Sequence, residues 1–168
     1  NPIFSSFVSR DLIGPVRKVN INGYEYIRDR GFSFEEKLNL NTRGILNKKL
    51  GDYRQEEFSG KAPILFFNTI VTGDARAMII GTHPARFLMQ ASPDSSGFIS
   101  TDIDAIDYVS FFKNQNPLNL RLLSAIRMNA TFPYVLPNVW LPTKPAVDVM
   151  DGGLRDNFGQ EISLRFLN

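Results

Sequence analysis

The sequence has no cysteine and a single histidine, His83, among its 168 residues. Without cysteine the chain can form no disulfide, no thiolate nucleophile and no cysteine-bound zinc site. A single imidazole also excludes the paired-histidine motifs that hold catalytic metals within one chain. The sequence therefore predicts no metal site. His83 precedes a proline in a turn-like segment, and we expect it to be a surface or structural residue.

The sequence also has no large excess of basic or acidic residues and no long apolar run. The chain has 19 basic and 17 acidic residues, a net charge of +2, and no run of Lys or Arg exceeds two residues. Nucleic-acid binders usually carry a basic stripe or patch, so we expect no nucleic-acid partner. The apolar runs are far shorter than the ~20 residues that cross a bilayer. No transmembrane segment or signal peptide is visible, and the compartment stays unknown.

The chain does contain enough apolar side chain for a folded core. Hydrophobic residues make up 43% of it, 14 residues are phenylalanine, and the length corresponds to one ordinary domain. Turn chemistry predicts a hairpin over residues 17–27, because Asn22-Gly23 lies between two β-prone flanks. Ser33 and Glu36 form a capping-box pattern. This predicts a helix that begins near Ser33 and ends near Gly51, or two short helices, because Gly44 weakens the middle.

The remaining patterns predict alternating strands and helices. Near-continuous apolar runs predict buried strands at 62–71, 77–81 and 146–150. Apolar residues at helical spacing predict helices at 103–112, 117–132 and 156–167. Composition predicts loops at 52–62 and 90–97, and a loop or edge segment at 132–142. Alternation of helices with buried strands is typical of the α/β class.

The stretch DVMDGGLRDNFGQ, residues 148–160, holds the candidate functional residue. Asp151 follows a predicted strand and precedes two glycines. By composition alone, Asp-Gly-Gly is a turn. In the functional interpretation, Asp151 is a carboxylate at the carboxyl end of a central strand, where open α/β sheets bind ligands. The two glycines would let the backbone turn sharply and leave the carboxylate uncovered.

The stretches LNLRLLSAIRMNATFPYVLPN and AVDVMDGGLRDNFG resemble the C-terminal half of patatin-like phospholipases. In that family a helix with small residues leads into a proline-containing turn. A later strand ends in Asp-Gly-Gly or Asp-Gly-Ala, and an asparagine follows a few residues on. APILFFNTIVTGD is similar to the family's central strand and the turn after it. The resemblance covers residues 60–168 and is weak over 1–60, so it implies one partial patatin-like domain over 1–168.

The resemblance implies a fold and a reaction. The fold is the C-terminal part of a three-layer α/β architecture, with a mixed or parallel central sheet between helices. The reaction is hydrolysis of a lipid ester by a Ser-Asp dyad, which needs no cofactor. Asp151 would be the dyad base, Gly152 and Gly153 would shape its turn, and Asn157 would bond to the loop that holds it. A lipid ester substrate also implies contact with a membrane periphery.

The chain departs from the family pattern in its serines. It has no Gly-x-Ser-x-Gly elbow and no glycine-rich oxyanion loop, and neither Ser33 nor Ser59 has elbow flanks. Ser124 lies near the apolar stripe of a predicted helix, and we expect it to be packed. The chain begins at Asn1, and we expect it to be the C-terminal part of a longer acyl hydrolase, inactive alone. Loss of upstream strands would expose a sheet edge, so we expect self-association.

A non-enzymatic α/β module is the alternative reading. Such a module could bind a partner protein or a lipid surface through its phenylalanine-rich segments, PIFSSF at 2–7 and SFF at 110–112. Phenylalanine is more often a core residue than a membrane anchor. An elbow serine upstream would decide for the enzyme. Asp156, which follows Asp151 closely, is expected to face the solvent and to serve as a control carboxylate.

Overall fold

A computed structural model of the chain describes residues 13–90, 103–132 and 135–167, together with Ser5, Val8, Ser9, Ser96 and Gly97. The predicted loop at 90–97 and the segment PIFSSF therefore lie largely outside the described residues. The strands are Lys18–Ile21 (β1), Tyr24–Ile27 (β2), Phe66–Val71 (β3), Ala77–Gly81 (β4), Ala105–Asp107 (β5), Val139–Trp140 (β6) and Asp148–Asp151 (β7). The α-helices are Arg30–Asn41 (α1), Arg54–Phe58 (α2), Tyr108–Phe111 (α3), Leu122–Met128 (α4) and Gln160–Leu167 (α5).

The first described elements are a hairpin and the helix after it. β1 and β2 pair antiparallel, and Asn22 and Gly23 between them have φ angles of 57° and 83°. These left-handed values are the ones that a two-residue hairpin turn needs, so the hairpin prediction is confirmed. The capping box at Ser33 is wrong. Asp29 caps α1 instead, because its side chain accepts a hydrogen bond from Phe32 N at 2.7 Å.

A five-stranded mixed sheet lies at the centre of the fold, in the order β5-β4-β3-β7-β6. β3 pairs antiparallel with both β4 and β7, β6 pairs antiparallel with β7, and β4 and β5 run parallel. The short turn at 72–76 joins β3 directly to β4, which only an antiparallel pair allows. The predicted α/β class is confirmed at this level, with a sheet that is mixed rather than parallel.

One face of the sheet carries most of the core. Alternate residues of a strand point to opposite faces. Met78 and Ile80 of β4 join a large apolar cluster with aromatic side chains of the hairpin and α1 and with side chains of α4. Ala77 and Ile79 point to the opposite face, where a smaller cluster includes the 3₁₀ turn Arg86–Leu88 and touches α5. The hairpin and α1 therefore pack into the same core as the sheet.

Several predicted boundaries are wrong. Residues 103–112 form no single helix, since β5 pairs with β4 and α3 begins only after Asp107, whose Oδ1 accepts Val109 N at 3.1 Å. The predicted loop at 52–62 contains α2. The predicted helix at 117–132 is a 3₁₀ turn followed by α4. Gly51 ends no α-helix, because α1 ends at Asn41 and Gly51 lies inside a 3₁₀ turn.

The three longest strands of the sheet, β3, β4 and β7, are each paired on both sides. Among the described strands the outer positions belong to β5, with three residues, and β6, with two. The expectation that a long central strand forms an open edge is therefore wrong for these residues, while self-association itself stays a prediction. Within the described ranges no helix is long and apolar enough to cross a membrane.

Candidate functional site

Asp151 is the last residue of β7, a strand with partners on both sides. Its side chain is half-buried, and Oδ1 accepts a hydrogen bond from Gly153 N at 2.8 Å. This bond caps the 3₁₀ turn Gly152–Leu154. The other oxygen, Oδ2, accepts no hydrogen bond from any residue that the structure describes. One carboxylate oxygen therefore shapes the turn, and the second is left for a further donor.

Gly152 lets the chain turn closely over the neighbouring strand. A Cβ atom at this position would lie 2.3 Å from the carbonyl oxygen of Asn68 in β3, a distance that real Cβ atoms essentially never show. The neighbour is backbone, which cannot move aside as a flexible side chain can. A Cβ at Gly153 would lie 3.1 Å from Oδ1 of Asp151. The two glycines thus let the backbone pass between β3 and the Asp151 carboxylate.

The backbone of Asp151 is held by Thr131, a buried residue just after α4. Residues in antiparallel pairs alternate between bonding to one neighbouring strand and to the other. Because Thr72 N donates to Asp148 O, positions 148 and 150 bond to β3, and the N–H of Asp151 points toward β6. β6 begins at Val139 and pairs only with the first half of β7. Thr131 Oγ1 accepts the Asp151 N–H instead, at 2.7 Å.

We expect Thr131→Val to loosen Asp151 without changing the local shape, because valine replaces the hydroxyl with a methyl group. The Asp151 N–H would then be left without an acceptor, at a cost of about 1–3 kcal/mol in the free energy of unfolding. Urea unfolding measures the cost, and amide hydrogen exchange should show loss of protection at Asp151. Thr131→Ser is the control, since it keeps the acceptor and the protection. Equal protection in the two variants would contradict the role of the hydroxyl.

A second threonine lies directly beside Asp151. Thr69 of β3 is opposite Asp151 in the β3–β7 register, is fully buried, and its hydroxyl has no hydrogen-bond partner in the described part of the chain. Opposing Cβ atoms in an antiparallel pair are about 4.5–5.5 Å apart and share a face. Asp151 therefore has one threonine bonded to its backbone and another, with an unsatisfied hydroxyl, beside its side chain.

The exposure and hydrogen bonds of Asp156 and Asn157, the two polar residues after the turn, differ from what the sequence predicts. Asp156 is half-buried, and its Oδ2 accepts Ile162 N at 3.1 Å and Asn68 Nδ2 at 3.4 Å. The expectation that Asp156 faces the solvent is wrong, because it ties the start of α5 to β3. Asn157 is exposed, and its side chain makes no hydrogen bond to the described residues. Its Oδ1 does lie beside Gly153, 3.2 Å from where a Cβ would be.

An ionic cluster anchors the segment that follows the turn. Arg155, just after the turn, and Arg165 of α5 both bind Asp104, which precedes β5, and Arg165 Nη1 lies 2.8 Å from Asp104 Oδ1. Glu161 of α5 pairs with the same two arginines. Burial acts to raise the pKa of Asp104, but hydrogen bonds from Arg165 and Arg155 outweigh it and hold that pKa below its ordinary value. The cluster fixes α5 against β5.

No serine among the described residues donates a hydrogen bond to Asp151. Ser124 is fully buried, and its Oγ donates to Glu35 Oε2 at 3.0 Å, as expected of a packed serine. His83 is partly exposed, with Nε2 3.9 Å from the buried carboxylate of Glu57. In the described ranges no group of three or more acidic or histidine side chains is arranged to hold a metal.

Comparison with models of known protein families, with curated proteins and with solved structures found no match to this chain. Sequence patterns missed Thr131 and Thr69, because threonine is frequent in strands and at helix ends for structural reasons. Only strand register shows that both residues adjoin Asp151.

Proposed function

We propose that this chain is the C-terminal part of a patatin-like serine acyl hydrolase, with Asp151 as the base of a Ser-Asp dyad. The substrate would be a lipid ester, met at a membrane periphery. The five-stranded mixed sheet would belong to the central layer of a three-layer fold. The elbow serine and the oxyanion loop would come from sequence outside this chain. The resemblance of residues 118–138 and 146–159 to that family is the starting point of the proposal.

The observation that supports the proposal most is the placement of Asp151. Its carboxylate lies at the carboxyl end of an inner strand, half-buried, with one oxygen bonded to Gly153 and the other without a described donor. The Gly153 N–H bond orients the carboxylate, the Thr131 hydroxyl holds the backbone of Asp151, and the fit of Gly152 against Asn68 sets the path of the turn.

The proposed chemistry follows from the low nucleophilicity of a serine hydroxyl. A serine hydroxyl is a weak nucleophile until a neighbouring base removes its proton. In the proposed dyad Asp151 Oδ2 accepts the Oγ proton while Oγ attacks the ester carbonyl. The protonated Asp151 then returns this proton to the departing alkoxide. A carboxylate is a much weaker base than an alkoxide, so backbone N–H groups must stabilise the oxyanion as well.

The first test uses the chain as it stands. We expect no hydrolysis of p-nitrophenyl esters above the buffer rate, because the nucleophile and the oxyanion loop are absent. A fluorophosphonate probe should likewise leave the chain unlabelled and should label a longer protein that contains it on an elbow serine. Turnover by the chain that Asp151→Asn abolishes would contradict the expectation of inactivity. Failure of the longer protein to react would contradict the proposed function.

The proposal includes self-association through a sheet edge. Among the described strands β5 pairs with β4 on one side only, although its three residues are buried. Unpaired strand edges favour pairing with other chains. We therefore expect the mass measured by light scattering to exceed that of the monomer as concentration rises. A monomer mass at every concentration would contradict this part of the proposal.

A non-enzymatic lipid-binding module is the second candidate, and one surface supports it. Phe87 is 58% exposed and Phe166 is 48% exposed, and their ring centroids lie 6.0 Å apart. Ile64 and Leu167 add exposed apolar area beside Phe166, in a cavity of about 450 Å³. Contiguous apolar surface of this kind marks interaction sites. Vesicle binding by the chain, with no serine reactivity in the longer protein, would favour this candidate.

A further inference from the structure

Two arginines lie side by side at the open end of the hairpin. Arg17 precedes β1 and Arg28 follows β2, and Arg28 N donates to Arg17 O at 2.7 Å. This backbone bond makes the two residues neighbours across the hairpin. Both line a cavity of about 340 Å³, together with Ser9, Gly14, Pro15 and Ser33. The cavity lies between the hairpin and the first turn of α1.

The charges of these two arginines are not compensated within the described part of the chain. Neither guanidinium forms an ion pair or a hydrogen bond with a described carboxylate. Asp29, which follows Arg28, is already engaged, since its Oδ1 accepts Phe32 N at 2.7 Å and Arg127 Nη1 at 3.1 Å. Arg121, Arg127, Arg155 and Arg165, in contrast, each have a carboxylate partner. In the described part of the chain the cavity therefore has two adjacent, exposed arginines that form no ion pair, and the same two residues line a neighbouring cavity of about 270 Å³ with Asp29 and Asp148.

We propose that this cavity binds a phosphate group. A phosphate monoester carries a charge of about −1.5 to −2 at neutral pH, which matches two guanidinium groups. The planar fork of arginine donates two parallel hydrogen bonds to phosphate oxygens, and such charge-assisted bonds are stronger than neutral ones. The first turn of α1 adds the positive end of its dipole. Water occupies about 30 Å³ per molecule, so the cavity has room for a phosphate and part of its organic substituent.

The site is independent of the dyad, and it concerns a binding function rather than the hydrolysis. A free phosphate, a small phosphorylated compound and a phospholipid head group share the same recognised chemistry. A nucleic acid is disfavoured, because the sequence has no basic run beyond two residues.

The test is an NMR titration of the chain with inorganic phosphate. We expect saturable shifts in the amide signals of Gly14, Arg17, Arg28 and Ser33, with a dissociation constant on the order of 1 mM. Arg17→Gln and Arg28→Gln should each raise that constant about tenfold or more. Arg54→Gln, at an exposed arginine of α2, removes the same charge elsewhere and should leave it unchanged. Melting temperatures confirm that the variants are folded.

Vesicles then identify the source of the phosphate. Binding to vesicles with phosphatidic acid, absent for pure phosphatidylcholine and lost in Arg28→Gln, supports a lipid head group. Phosphate shifts without vesicle binding support a soluble phosphate compound. Absence of saturable shifts overturns the proposal. Equal weakening in Arg54→Gln and Arg28→Gln also overturns it, because binding would then follow net charge rather than this cavity.

Discussion

Under the proposed function, Asp151→Asn in a longer protein that contains this chain should lower kcat by about 10²–10⁴-fold, the usual effect of removing a general base. Asparagine keeps a carbonyl oxygen that can accept the Gly153 N–H, so the turn should persist. It lacks the basic oxygen that would take the serine proton. The loss should appear in kcat rather than KM, since the proposal assigns the lipid contacts to other residues. Steady-state kinetics on a soluble ester, with a urea unfolding curve for each protein, measure both quantities.

The matched control is Asp74→Asn in the turn between β3 and β4. Asp74 is an exposed carboxylate whose partner is Arg76, and it lies beyond the other end of β3. We expect wild-type rates from this variant. Asp156→Asn is less suitable as a control, because Asp156 accepts Ile162 N and Asn68 Nδ2 and so anchors α5. If Asp156→Asn abolishes activity while Asp151→Asn keeps it, the base has been assigned to the wrong carboxylate.

The sequence predicted the features that neighbouring residues decide. Asn22 and Gly23 adopt left-handed backbone angles at little cost, so these two residues were sufficient to predict the hairpin. β4 occupies the predicted range, because it is a continuous apolar run bounded by turn residues. β7 ends at Asp151, one residue beyond the predicted range 146–150, since the two glycines that follow cannot extend a strand well.

The pairing of strands and the residues at which they begin were harder to predict, because both depend on residues that are distant in the sequence. The apolar run at 62–71 indicated a strand, but only the fold shows that β3 begins at Phe66 and runs antiparallel to both neighbours. Ile103, Ile106, Val109 and Phe112 have helical spacing. Residues 105–107 nevertheless pair with β4, which supplies their backbone partners. Tertiary contacts override local preference at such positions.

The buried charges were also missed, because periodicity assigns charged residues to the surface. Glu35 of α1 is fully buried between Arg127, with Nε 2.8 Å from Oε1, and Arg121, with Nη1 3.2 Å from Oε2. Burial raises the pKa of Glu35, while Arg127, Ser124 and Arg121 act to lower it. In the sequence alone, Glu35 and its neighbour Glu36 are indistinguishable.

This cluster also connects the fold to the candidate site. Glu35 of α1 binds Arg121, which directly precedes α4, and Arg127, which lies within α4. It therefore holds α4 against α1. Thr131 lies just after the end of α4 and accepts the N–H of Asp151. The position of the carboxylate therefore depends on a helix that buried ion pairs hold in place. Loss of the ion pairs of Glu35 should displace Thr131 and thereby weaken the hydrogen bond that holds the backbone of Asp151.

Glu35→Ala should lower the free energy of unfolding by roughly 3 kcal/mol, the low end for breaking a buried pair, because two buried arginines lose their shared carboxylate and keep only Glu36 and Asp29. Glu36→Ala is the matched control, since Glu36 also binds Arg121 but its side chain is 47% exposed. A partly exposed pair is worth about 0–1 kcal/mol, so the control should stay close to wild type. Urea unfolding of both variants measures the difference.

Hydrogen exchange at the Asp151 amide tests the connection to the site. We expect protection of this amide to fall in Glu35→Ala under conditions where most molecules are still folded, and to persist in Glu36→Ala. If Glu35→Ala does not fold, Glu35→Gln keeps the volume and the hydrogen-bonding oxygen and removes only the charge, so the same comparison can be made. Similar unfolding energies for the Glu35 and Glu36 variants would mean that solvent reaches the two arginines and that the cluster is not what holds α4.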